Sequence, residues 1–440
     1  MLLPYDLKEW IPEDDIVHFV IEAVKSVPLG VFSSNENGTG DEQYHPHMML
    51  ALLLYCYSHG IFSSRRIERA TWKDVAVRYI CGNLHPDHDT VCSFRVGNEK
   101  AITEVFLQLL LLAKEMKVLK VGMVSIDGTK IKANASINKS VRYDRAGELE
   151  AQLRLEIQEL MNKAAEADNT PGDEGETMGK EIQRLEELRS KMTKAREKLE
   201  ERAKAKAEKE KKEYEDKVKR RDERKGRGKG RIIQPPKDTP EPGDQVNMSD
   251  CESRIMRKSK HSEYTQSYNA QAVVDAEGSM LVLGARVTNN ASDANELALD
   301  VAAVPPQAGA VATALADAGY AAQAPIEAAQ AMGVQVLVSM CRESDHNHRK
   351  HDWRPLIIRK TPPVDFFRRK AWVRKMMTTM KSERSKELYK LRKQTVEPVF
   401  GIIKQVLGFR QFLLRGLKKT NLEWTLVTCA YNLKRLAALR

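Results

Sequence analysis

The sequence predicts an α/β protein in which an all-helical N-terminal region precedes a sheet, and a long charged helical insertion follows the first strand. Three observations predict it. Residues 46–116 place apolar side chains at helical spacing. Five short β-rich runs, beginning at Val121, Tyr268, Leu281, Val311 and Val334, alternate in the later part with helical stretches. Residues 145–199 are densely charged yet keep two narrow apolar stripes.

The N-terminal part contains PHMMLALLLYCYSHG, SSRRIERATWKDVAVRYICG, and DHDTVCSFRVGN running into EKAITEVFLQLLLLAKEM, each long enough for a helix. Ser63, Asp89 and Asn98 stand where N-caps are expected, because their side chains can accept from the free amides of a first turn. Arg65, Arg66, Arg69, Arg78 and Arg95 give this region a basic face suited to sequence-independent neutralisation of phosphates. His85 and His88 are expected to pack or cap.

In VGMVSIDGTKIKANAS an apolar strand is expected to end at Asp127-Gly128. The two stripes that follow, Leu149, Leu153, Ile157, Leu160 and then Leu185, Leu188, Met192, Ala195, Leu199, flank a turn and predict an antiparallel helical hairpin. Its second arm runs into a flexible basic linker. There the run from Arg220 to Arg231 is dense enough to touch a nucleic-acid backbone. Beyond the linker, YNAQAVVD and LVLGARVT predict a hairpin around Glu277-Gly278-Ser279. A helix over Asp293 to Val304, a strand ending at Asp317, a helix over Ala324 to Met332, a strand over Val334 to Ser339 and a long helix from about Ser382 to Leu407 complete the pattern. With the insertion set aside, this is the element order of a ribonuclease H-like domain. The expected boundaries are 1–118 for the helical DNA-binding domain, 119–144 and 246–440 for the catalytic domain, and 145–245 for the insertion and linker.

The net charge of +11, from 72 Lys and Arg against 61 Asp and Glu, favours a polyanionic partner. Cys56, Cys81, Cys92, Cys251, Cys341 and Cys429 stand singly with no zinc-binding spacing, as reduced thiols do. The N-terminus turns acidic at once and lacks the apolar run of a signal peptide. The greasiest stretch, Met48 to Tyr57, is far short of a membrane span. A soluble, cytoplasmic protein is expected.

Three acids combine into a candidate site: Asp127 at the end of the first strand, Asp317 at the end of the fourth, and Glu397 on the last helix. If the first and fourth strands are neighbours, the two aspartates converge, and a helix packed across that edge delivers the glutamate. Converging carboxylates repel one another unless a cation neutralises them, so Mg²⁺ or Mn²⁺ is the expected cofactor. Two ions roughly 3.5–4 Å apart would suit an in-line displacement at phosphorus. Asp275 and Asp293 lie near the same edge, and on the residues alone Asp275 could take the place of Asp127. His346, His348 and His351, with Asp345 and Asp352, lie in a basic loop without an apolar scaffold to fix ligands, and read as a solvated loop.

The motifs resemble those of bacterial insertion-sequence DDE transposases that carry an N-terminal helical domain. The resemblance rests on the run from His85 to Arg95 (HPDHDTVCSFR), on SIDGTK at Ser125 to Lys130 with Ala133 to Ser136, and on YNAQAVVD. It rests also on ADAGY around Asp317 and on VEPVFGIIK from Val396 to Lys404. It spans nearly the whole chain, in the family's order. The resemblance implies that Asp127, Asp317 and Glu397 are catalytic and hold two Mg²⁺ or Mn²⁺ ions. It also implies that Tyr389, Arg392 or Lys393, and Lys404 contact DNA, with Arg392 one position further from the glutamate than is usual and Lys393 in the usual place. The implied partners are the double-stranded transposon ends and target DNA, with a homodimer as the active form. The alternatives are a metal-dependent nuclease without strand transfer and a non-catalytic DNA-binding descendant; retention of all three acids disfavours the second.

Overall fold

A computed structural model describes residues 6–33, 42–167, 174–222, 234–257, 261–340 and 370–440. The histidine-bearing loop with His346, His348 and His351, and most of the basic run from Arg220 to Arg231, lie outside the described residues. The chain divides into two compact units, one of Met1–Ala133 with Ser267–Arg440 and one of Asn134–Gln266.

The first unit opens with helices α1 (Ile16–Lys25), α2 (Pro46–Ser58), α3 (Ser64–Lys73), α4 (Val75–Ile80), α5 (His88–Gly97) and α6 (Glu99–Glu115). The stretch read as one helix through Trp72 and Val75 is two, because the Asp74 carboxylate accepts from the Val77 amide at 3.0 Å and starts a new helix. Asp87, rather than Asp89, caps α5: it accepts from the Thr90 amide at 2.6 Å, while Asp89 falls inside the first turn.

Strand β1 (Met123–Lys132) leaves this unit at Ala133. The second unit holds β2 (Ser140–Arg142), α7 (Tyr143–Ala167), α8 (Glu174–Asp222), β3 (Gln245–Asn247) and β4 (Arg254–Met256). The two helices run antiparallel, since the Tyr143 hydroxyl donates to Glu200 at 2.9 Å and Arg196 pairs with Glu150 at 2.8 Å. Leu153, Met192, Ala195 and Leu199 from the two stripes are buried between them with Val141 and Val246 of the β2–β3 pair.

The chain re-enters the first unit in β5 (Thr265–Asp275), followed by β6 (Val282–Thr288), α9 (Leu297–Ala302), β7 (Thr313–Ala316), α10 (Gln323–Ala331) and β8 (Gln335–Val338). Helices α11 (Ala371–Lys381), α12 (Glu383–Gly401) and α13 (Leu417–Leu439) close it. The strands of this unit lie in the order β6, β5, β1, β7, β8; β7 and β8 run parallel to β1, whereas β5 is antiparallel to it. The helix expected from Asp293 shrinks to the six residues of α9. The reason is polar: Asp293 and Glu296 turn their carboxylates toward the strands, where Glu296 accepts from Asn290 at 2.7 Å and pairs with Arg286 at 3.2 Å.

α13, which the sequence pattern did not single out, packs on β6, α2 and α6. Buried on most sides, it lacks a polar face that would show as a helical period. It also covers the edge of the sheet. Asn432 accepts from the Val282 amide and donates to the Val282 carbonyl, both at 2.8 Å, and Asn421 accepts from the Val287 amide at 2.9 Å, so side chains of α13 take up backbone groups near both ends of β6. Among the described residues no helix is long and apolar enough to cross a membrane.

Candidate active site

Asp127 does not terminate β1. The strand continues to Lys132 because its antiparallel pairing with β5 runs from Val124 to Lys132, while its parallel pairing with β7 stops at Ile126 opposite Ala316. Asp127 therefore follows the last residue paired with β7, and Asp317 follows the last residue of β7. The two aspartates stand side by side where the two strands part. Asp317 caps the turn Ala318–Tyr320 by accepting from the Gly319 amide at 2.7 Å.

Glu397 and its companions come from α12, which packs across β1 and β7. Tyr389 donates to the Ala316 carbonyl at 3.2 Å, next to Asp317. Arg392 lies between two acids, 3.7 Å from Asp127 Oδ2 and 3.4 Å from Glu397 Oε1, with its guanidinium 5.9 Å from the Tyr389 ring centre. Its buried Nε has no hydrogen-bond partner. Lys393 is exposed. After Pro398 the helix gives way to a π-helical turn, Ile402–Val406, and Lys404 from that turn donates to Thr129 Oγ1 and, at 3.0 Å, to the Lys130 carbonyl.

Two expectations are corrected. Arg95 has no phosphate-binding surface: it is 3% exposed and donates to the Tyr57 hydroxyl at 2.9 Å and the Phe62 carbonyl at 3.3 Å. Arg65, Arg66 and Arg69 of α3 do stand exposed. Asp275 cannot replace Asp127, since it pairs with Val124 at the far end of β1 and accepts from the Ser279 amide at 3.0 Å, closing the β5–β6 hairpin. His85 stacks on Trp72 with ring centres 3.4 Å apart, and His88 meets Glu68 at 2.8 Å, both packing roles.

The electrostatics follow from this geometry. Burial, then the neighbouring Asp317, pushes the Asp127 carboxyl up to about 7, against the opposing pull of the Gly128 amide and Arg392. One arginine at 3.4–3.7 Å does not neutralise the group. An under-neutralised pair of oxygen donors fits a hard divalent cation by donor chemistry. Among the described residues no three acid, histidine or cysteine side chains converge on a common point. Asp127 and Asp317 are adjacent, and Glu397 is engaged by Arg392.

Residues 244–433 match the family described as Transposase DDE domain, and residues 5–97 match the Transposase domain (DUF772). The chain belongs to the DDE transposases of insertion sequences. The first match contains Asp317 and Glu397; Asp127 lies outside both matched stretches and is brought beside Asp317 by strand register. No curated protein and no solved structure matches the chain. Members of this family carry out nucleotidyl transfer on DNA with divalent metal ions, a chemistry that agrees with the acids and basic side chains gathered at the transposase's β1–β7 junction. Thr129, Lys130, Asn269, Gln271 and Tyr320 also reach this region. All five fall within the motifs SIDGTK, YNAQAVVD and ADAGY that carry the resemblance, but the motifs alone assign them no separate role, because only the strand register shows which of them share a face.

Proposed function

We propose that this transposase cuts DNA at transposon ends to leave a 3′ hydroxyl and joins that hydroxyl to target DNA, with Asp127, Asp317 and Glu397 as the acids that hold Mg²⁺ or Mn²⁺. The observation that carries the reading is the parallel register, Ile126 opposite Ala316, which makes the two aspartates neighbours under the helix that bears Glu397. The strand order and the insertion after β1 support a ribonuclease H-like catalytic domain running through 119–144 and 246–440, with 1–118 as the helical DNA-binding part and 145–245 as the insertion.

When bound, a pair of divalent ions supplies activation of the attacking oxygen and stabilisation of the leaving oxygen. The chain's own groups do the rest. Tyr389 holds the end of β7 in place through the Ala316 carbonyl, and Lys404 ties the π-helical turn to β1 just beyond Asp127. Arg392, whose terminal nitrogens lie loosely between Asp127 and Glu397, is placed to meet a phosphate oxygen beside the acids. Lys393, exposed on α12, suits the neighbouring backbone. We infer a homodimer pairing two ends as the active form; co-capture of two differently labelled ends by one complex tests it.

The decisive experiment is cleavage of a labelled linear DNA carrying the element's ends, with Mg²⁺ or Mn²⁺, by the wild type and by Asp127→Asn, Asp317→Asn and Glu397→Gln. Cutting by the wild type that is lost in all three while DNA binding persists is the expected result. Binding without cutting by the wild type would make the chain a non-catalytic DNA-binding protein, and cutting without joining would make it a nuclease.

A further inference from the structure

The two faces of β1 are built differently around Asp127. On one face α12 closes down, with the Ser125 hydroxyl reaching the Arg392 carbonyl at 3.5 Å and Lys404 on Thr129. On the other, Gly128 and Lys130 pair with Gln271 and Asn269 of β5. Over these four lies Asp293, delivered by the segment between β6 and α9. Its Oδ1 accepts from Asn269 Nδ2 at 2.6 Å and Gln271 Nε2 at 2.8 Å, with Lys130 Nζ at 3.7 Å.

The packing is tight against the residue that follows Asp127. A Cβ at Gly128 would stand 2.6 Å from Asp293 Oδ1 and 2.9 Å from Asn269 Oδ1, and would run into the Gln271 amide, so any larger residue there has to push these three side chains aside. The other end of Gln271 accepts from the hydroxyl of Tyr320, a fully buried side chain in the turn that Asp317 caps. A Cβ at Gly319 in that turn would lie 2.8 Å from Asp317 Oδ1 and 3.7 Å from Asp293 Oδ2. One hydrogen-bonded relay, Asp293 to Gln271 to Tyr320, thus joins the backbone beside Asp127 to the turn beside Asp317.

We propose that Asp293 is a positioning residue: through Gln271 and Tyr320 it sets the spacing of Asp127 and Asp317, and with it their affinity for a divalent cation. The inference rests on the reading of those two aspartates given above. Groups that orient metal ligands from behind, when removed, typically weaken binding or activity by about 10–100-fold.

The test measures Mn²⁺ binding to the full-length, DNA-free protein by titration calorimetry, together with the Mn²⁺ dependence of end cutting. Asp293→Ala is expected to weaken Mn²⁺ binding by roughly 10–100-fold and to move the cutting curve to higher Mn²⁺, with the maximal rate largely restored at saturation. Asp293→Asn keeps the oxygen acceptor and is expected to rescue most of that loss. Tyr320→Phe removes only the last link of the relay, leaves the core filled, and is expected to shift the curve the same way by less; it covers the case in which Asp293→Ala fails to fold. Unchanged Mn²⁺ affinity in folded Asp293→Ala or in Tyr320→Phe overturns the inference alone, as does an Asp293→Asn as weak as the alanine variant. Unchanged affinity in Asp127→Asn and Asp317→Asn removes the triad reading and this inference with it.

Discussion

Two places in the first unit set one arginine between two carboxylates, and they differ in how tightly. Arg286 reaches Asp300 at 2.7 Å and Glu296 at 3.2 Å, and those acids are 1% and 2% exposed. Arg392 stands 3.7 Å from Asp127 and 3.4 Å from Glu397, whose side chains are 21% and 51% exposed. The first cluster is tightly joined: Glu296 also accepts from Asn290 and Thr288, although the buried Asp300 Oδ2 has no hydrogen-bond donor. The second is open and loosely joined, with a third acid, Asp317, adjacent. Short contacts among buried charges mark a fold element, whereas long contacts around an accessible, under-neutralised carboxylate mark a place where something else is to be bound.

The comparison breaks most readily at Arg286. Arg286→Met leaves Glu296 and Asp300 buried without their counter-charge and is expected to cost about 3–5 kcal/mol in urea unfolding. If the loss is under about 1 kcal/mol, the tightly joined cluster is not structural. Arg95→Met, which removes the donors to Tyr57 and Phe62 and a nearby positive charge from the buried Glu423, is expected to cost about 1–3 kcal/mol by the same measurement while non-specific DNA affinity of the folded protein is unchanged. A fall in that affinity would return Arg95 to the DNA-contacting set.

A pH series tests what the two clusters share. Burial pushes Asp127 and Asp300 up to about 7 each, above the ordinary aspartate value. The folded chain then holds protons that the unfolded chain releases above about pH 4, so these groups lower stability as pH rises from about 4 through about 7. In EDTA, Asp127→Asn is expected to exceed the wild type by up to about 4 kcal/mol at pH 8 and to match it below about pH 4. Asp300→Asn relieves a penalty that already includes the pull of Arg286, so it is expected to gain a similar amount at pH 8, and a gain in neither variant would show that neither carboxyl is held above its ordinary value. Arg392→Met is expected to change metal-free stability by less than about 1 kcal/mol, yet to slow end cutting by roughly 100-fold. Smallest of all, Lys393→Ala is expected to leave stability within about 0.5 kcal/mol and to lower DNA affinity only slightly, more so at low salt.

Much of this architecture was readable wherever a local pattern carried the information. The stripes of α7 and α8, the β5–β6 hairpin around Gly278, and the acid-after-strand pattern at Asp317 each depend on residues close in sequence. What escaped depends on distant partners. The extent of β1 past Asp127 is set by β5, more than a hundred residues away, so the strand end was placed too early. Arg95 reads as basic surface until Tyr57 and Phe62 are seen to take up its donors. Asp293 looks like a helix start until Asn269 and Gln271 draw its carboxylate to the sheet. α13 shows no helical period because nearly every side of it is covered.

The pairing of Lys132 with Ser267 means that the chain departs for the second unit and returns from it on adjacent, antiparallel strands. In kinetic terms this is a costly hairpin: closing a loop of more than about a hundred residues in place of a turn of about four adds roughly 3 kcal/mol of chain entropy. Pairing of β1 with β5 is therefore a late event on the folding route unless the intervening unit collapses first and brings its own ends together. In the finished protein the same geometry makes the detour interchangeable. A short tight turn could bridge the two strand ends without disturbing their register, so the length of the excursion is free to vary while Asp127 stays where it is.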